Sequence, residues 1–105
     1  MLKKIQLSSD LLNKIKEIIS KMDLSKKDIK VFIFGSRVQK KANQRSDIDI
    51  GMEKINQEKI PAKLKFDFLD YLEKIPTLLS FDIVDFSLVN QDFKKEVYKK
   101  IYYLN

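Results

Sequence analysis

The hydrophobic pattern changes period several times along the 105 residues, and each change marks an element. Leu11, Leu12, Ile15, Ile18, Ile19 and Met22 fall on one face of a helix, with Ser8, Ser9 or Asp10 available as its cap. After the polar LSKKD, the run IKVFIF from Ile29 to Phe34 is apolar on both faces and rich in β-branched and aromatic residues. It predicts a central strand covered on both sides. Gly35-Ser36 breaks that run, and Arg37 to Ser46 reads as a polar connection with room for a short helical turn. SDIDIGME then alternates strictly: Asp47, Asp49 and Gly51 point one way, while Ile48, Ile50 and Met52 supply the core side.

Pro61 suits the first turn of a second helix, on which Leu64, Phe68, Tyr71, Leu72 and Ile75 repeat at helical spacing up to Pro76. FDIVDFSLV, Phe81 to Val89, predicts a third strand. Asn90 can cap a closing helix that carries Phe93, Val97, Ile101 and Leu104 on one stripe. The order α-β-β-α-β-α places the chain in the α/β (α+β) class, as a small mixed sheet of three to four strands flanked by helices. No repeat or linker interrupts it, so residues 1–105 are expected to form one domain.

Composition narrows the chemistry. Without cysteine there is no disulfide or thiolate, and without histidine no imidazole base or imidazole metal ligand. Catalysis would rest on carboxylates, hydroxyls, amines or a bound metal. No apolar run reaches the length of a membrane span, and the N-terminal stretch breaks its apolar residues with charges, so a cytoplasmic protein with no membrane partner is expected. The net charge is +6, and of 21 basic residues only Arg37 and Arg45 are arginines. The lysines are scattered along solvated faces without interleaved aromatics, so direct binding of nucleic acid is not expected. A small basic nucleic-acid module is the weaker rival, and it would bind in a salt-dependent way without Mg²⁺ or ATP.

Two residues apart on a strand, Asp47 and Asp49 project from one face with Cα atoms roughly 6.5–7 Å apart. Aspartate is a poor strand former and like charges repel, so the pair calls for a cation. Mg²⁺ prefers oxygen ligands and is typically held by one or two carboxylates plus substrate phosphates. Asp82 and Asp85 are candidates for a third carboxylate; three residues apart on one strand, they face opposite sides, and periodicity does not choose between them. Gly35 allows a backbone to approach phosphate closely, the Ser36 hydroxyl can donate to a phosphate oxygen, and Arg37 adds a guanidinium fork suited to phosphate.

Gly-Ser, ten residues, then Asp-x-Asp, written here as GSRVQKKANQRSDID, resembles the signature of the minimal nucleotidyltransferases (MNT) of the DNA polymerase beta superfamily. The likeness covers almost the whole chain, including FDIVDFS as the strand of the third acid and the ending IYYLN. It implies that Asp47 and Asp49 bind two Mg²⁺ ions, that Gly35 and Ser36 hold ATP, and that Asp82, with Asp85 as the alternate, joins the metals and accepts the attacking hydroxyl's proton. It also implies an antitoxin that adenylylates a tyrosine of a cognate HEPN-domain ribonuclease toxin encoded by an adjacent gene, in a hetero-oligomer. An antitoxin of the same fold that neutralises by binding alone is the main alternative. Val38-Gln39-Lys40 stands where many relatives carry a small residue and then a glycine.

Overall fold

A computed structural model describes residues 7–38 and 47–105, apart from the Ser36 side chain. Helix α1 spans Ser9–Lys21, strand β1 Ile29–Phe34, β2 Ile48–Lys54, helix α2 Ala62–Glu73, β3 Phe81–Asp85, α3 Gln91–Tyr98 and β4 Tyr102–Tyr103. Short 3-10 turns, Gly35–Arg37 and Phe86–Leu88, follow β1 and β3. The predicted order is present, with the small β4 added at its end. Of the polar connection from Arg37 to Ser46, residues 39–46 lie outside the described residues.

Local chemistry sets the boundaries. The Ser8 hydroxyl accepts from the Leu11 amide at 3.2 Å, and Asp10 and Lys21 complement the two ends of the α1 dipole. The Asn90 side chain caps α3 by accepting from the Asp92 and Phe93 amides. The strands lie in the order β3-β2-β1-β4, so β1 and β2 are the inner pair. β1 and β2 run antiparallel with Phe34 opposite Asp49 and Phe32 opposite Gly51, while β3 runs parallel to β2 with Asp82 beside Asp49.

The sheet has two unlike faces. On one, Val31 and Ile33 of β1 and Ile48, Ile50 and Met52 of β2 are buried with Leu11, Ile15 and Ile19 of α1 and Phe68 and Leu72 of α2. The other carries Asp49, Gly51 and Glu53 beside an aromatic cluster. Here the Phe32 and Phe86 rings, which flank β2 from its two sides, meet at 5.1 Å. They can meet because Gly51 of the intervening strand has no side chain; a Cβ there would run into Cε2 and Cζ of Phe32. Tyr98 of α3 joins the cluster at 5.4 Å from Phe32.

Four sequence expectations are corrected. The third strand stops at Asp85 instead of Val89, because the Asp85 carboxylate accepts from the Ser87 amide and turns the chain into a 3-10 turn. The last helix ends at Tyr98, so Ile101 and Leu104 are not on it. Past that point the backbone meets stronger demands at the edge of β1. Tyr102 and Tyr103 pair with Ile33 and Phe32, the Leu104 amide donates to the Val31 carbonyl, and the Asn105 carboxamide accepts from the Val31 amide and donates to the Ile29 carbonyl. The expected stripe is also displaced: Phe93 is 51% exposed while Lys94 is 4% exposed. On α2, Tyr71 is exposed, and the buried stripe is Phe68 and Leu72. Among the described residues no helix is long and apolar enough to cross a membrane.

Gly51 offers a test in which two effects have opposite signs. In an ordinary strand alanine is favoured over glycine by roughly 0.5–1 kcal/mol. Here Gly51→Ala is expected to destabilise by about 1–3 kcal/mol through overpacking against Phe32, with partial relief from Phe32→Leu. Urea unfolding of the single and double variants checks both the sign and the relief.

Candidate active site

The break after β1 is built for close approach. Gly35 has φ +81°, a conformation that L side chains rarely adopt, and a Cβ on it would collide with Oδ2 of Asp49. Glycine therefore lets the chain turn and lie directly against the first acid inside β2. Ser36 and Arg37 complete the 3-10 turn; the Ser36 side chain lies outside the described atoms, and the Arg37 side chain is buried at 7% exposure. Arg37 thus enters the protein surface instead of spreading over it. Val38 is also buried, packed into the main core.

Register brings two of the predicted acids side by side. Asp82 is the parallel neighbour of Asp49, at the interstrand spacing of about 5 Å. Asp47 lies two residues before Asp49 and is exposed, as is Asp82, while Asp49 is half-buried between them and the Gly35 turn. Burial pushes the Asp49 carboxyl above the usual aspartate range, and the charge of Asp82 and then that of Asp47 push it further. The three carboxylates share one electrostatic field.

Asp85 is engaged elsewhere. Its two oxygens accept from the Ile60 and Ser87 amides, each at 2.9 Å, so it ties the α2 approach and the 3-10 turn to the end of β3. It lies beside Met52, three residues beyond Asp82. Of the two alternatives that periodicity left open, Asp82 is the one adjacent to Asp49.

Among the described residues no group of three His, Cys, Asp or Glu side chains is gathered tightly enough to hold a metal by itself. The chemistry of the donor set nevertheless fits a hard divalent cation. It consists of carboxylates alone, burial and then their mutual repulsion raise Asp49, and phosphate oxygens would complete the coordination. Sequence reasoning missed two neighbours of the site. Phe34, directly opposite Asp49, forms an aromatic wall at 5.0 Å from Phe86. Glu53 continues the face of Asp49 and Gly51, a position that the strict alternation of DIDIGME already contained.

The profile of the family described as "Polymerase beta, Nucleotidyltransferase" matches residues 13–104. No curated protein matches the chain. Solved structures similar in fold include a toxin-antitoxin with AMP-PNP, at 19% identity over 86% of this chain and 72% of that one with a TM-score of 0.62. A second is the MNT antitoxin complex with tri-AMPylated HEPN toxin from Shewanella oneidensis, at 16% identity over 90% and 71% with a TM-score of 0.56. A third is a candidate nucleotidyltransferase from Sulfolobus solfataricus, at 22% over 89% and 78% with a TM-score of 0.51.

The raised Asp49 carboxyl has a consequence for stability. Because its folded-state value lies above the unfolded one, the fold prefers the protonated form. This contribution is fully present below the ordinary aspartate value of about 3.9 and is lost as pH rises through the raised value. At neutral pH the ionised group therefore works against folding. Asp49→Asn is expected to raise Tm in metal-free buffer at neutral pH, with the gain shrinking as pH falls toward that ordinary value. Melting curves at the two pH values check it, and a neutral-pH Tm equal to or below wild type contradicts it.

Proposed function

Since the chain belongs to the polymerase beta nucleotidyltransferase family, we propose that it transfers AMP from ATP to a tyrosine hydroxyl of a HEPN-domain toxin and so acts as that toxin's antitoxin. The observation that carries this reading is the convergence of the Gly35 turn, Asp49 and Asp82 at one end of the sheet, with Asp47 beside them. Two proteins similar in fold come from toxin-antitoxin complexes, one with a triphosphate analogue and one with an AMPylated HEPN toxin, which supports the choice of nucleotide and partner.

In this reading each residue has a distinct task. The Gly35–Arg37 turn lets the backbone come close to the triphosphate, and Asp47, Asp49 and Asp82 would hold Mg²⁺. When bound, Mg²⁺ supplies positive charge against phosphate oxygens that gain negative charge during transfer. The acceptor oxygen forms a bond to the α-phosphorus as the bond to the bridging oxygen of pyrophosphate breaks. The hydroxyl proton passes to Asp82, whose exposed carboxylate is reachable from solvent, and pyrophosphate leaves with the bridging electron pair.

The test uses α-labelled ATP and Mg²⁺ with the HEPN-domain protein encoded beside this chain. Label is expected on a tyrosine of the partner, reduced at least roughly a hundredfold by Asp47→Asn. A stable complex that takes up no label with either variant would make the protein an antitoxin that works by binding.

A further inference from the structure

Helix α3 is fastened in an unusual way. It has eight residues, too few for a helix to persist alone, and its buried residue is a lysine. The Lys94 ammonium lies 2.7 Å from Oε2 of Glu53 and donates to Oε1 of Gln57 at 2.9 Å. The Tyr98 hydroxyl, one turn further along α3, donates to the other Glu53 oxygen. Burial works to raise the Glu53 carboxyl, but the bonds from Lys94 and Tyr98 and the Lys94 charge leave it below the usual range. Both partners of the ion pair are largely enclosed, with side-chain exposures of 6% and 15%.

An enclosed ion pair is a poor source of net stability, since desolvation offsets most of the attraction, and its better attested use is to fix one geometry among several. The geometry fixed here leads to the acids. Glu53 shares its face of β2 with Asp49 and Gly51. The Tyr98 ring lies 5.4 Å from Phe32 and 5.9 Å from Phe86, and Phe86 lies 5.0 Å from Phe34, the cross-strand neighbour of Asp49.

We propose that Lys94 and Glu53 are a positioning pair for the acid site: their enclosed ion pair pins α3 to the Asp49 face of β2 and so fixes the aromatic wall beside the acids. The proposal rests on the nucleotidyltransferase reading for what the acids bind, and it makes neither Lys94 nor Glu53 a catalytic residue. Removing one charge leaves the other enclosed without compensation and loosens the wall. Removing both charges while keeping an acceptor for Tyr98 restores it.

The experiment compares wild type with Lys94→Met, the double variant Lys94→Met with Glu53→Gln, Tyr98→Phe, and Lys63→Met as a control for an exposed ion pair on α2. Two quantities are read well below each variant's Tm: Mn²⁺ affinity of the protein with ATP present, by water-proton relaxation, and kcat and KM for AMP transfer. Lys94→Met is expected to weaken Mn²⁺ binding and lower kcat by roughly three- to thirtyfold with little change in KM for ATP. The double variant should return to within roughly twofold of wild type, and Lys63→Met should not differ from it. Tyr98→Phe should show a smaller loss in the same direction, which keeps the test open if Lys94→Met does not fold. A fall in Tm alone, with Mn²⁺ affinity and kcat of the folded protein unchanged in Lys94→Met or Tyr98→Phe, overturns the proposal, as does a double variant no better than the single one. Wild type that binds Mn²⁺ yet transfers nothing overturns the transfer reading instead, and the Mn²⁺ series then decides the positioning pair.

Discussion

The two-residue period of β2 is the constraint from which the rest follows. Ile48, Ile50 and Met52 are fully buried on one face, and that burial fixes the register against β1 and β3. A slip of one residue would carry Asp49 and Glu53 into the apolar core and expose all three aliphatic side chains, so the alternatives lie far higher in energy. The same register that protects the core therefore aligns Asp49 with Asp82 and lays Gly35 against it. Placement of the acids is a by-product of hydrophobic packing on the other side of the strand.

That arrangement carries an electrostatic cost. Three carboxylates share a small region at the end of the sheet, one of them half-buried, and nothing in the apolar layer beneath relieves their repulsion. Further along the same face the chain solves a similar problem internally, since Glu53 is met by Lys94 from another element. Among the described residues, Glu53 thus has a built-in counter-charge, while the Asp49 carboxyl is raised by burial and by its acidic neighbours. Like charges gathered in this way are typical of sites where a ligand completes the structure.

Much of this was legible in the sequence because it depends on short-range periodicity. IKVFIF, DIDIGM and the α1 stripe each show their period within a few residues, and the observed β1, β2 and α1 follow them closely. The Gly-Ser and Asp-x-Asp pattern likewise named Gly35, Asp47 and Asp49. What periodicity could not supply came from contacts distant in sequence. Whether Asp82 or Asp85 lies next to Asp49 depends on the parallel register with β3 and on two backbone amides that engage Asp85. The end of α3 was misjudged because the apolar spacing of Phe93, Val97, Ile101 and Leu104 competes with the hydrogen-bonding demand of the β1 edge, and a window on one segment contains only the first of these. The inward turn of Lys94 was hidden for the same reason, since its partner Glu53 lies 41 positions earlier.

The Asn105 carboxamide bears on the order of events during synthesis. It imitates a peptide group, accepting from Val31 and donating to Ile29 across separations of 74 and 76 residues, and with β4 it closes the outer side of β1. During synthesis the hydrogen-bonding edge of β1 therefore stays open until residues 102–105 have emerged from the ribosome. For that interval the nascent chain presents an apolar strand with an unpaired edge, the feature that invites strand addition from other chains. Residues 102–105 act as a molecular seal whose timing, as much as its strength, decides how long that edge is exposed.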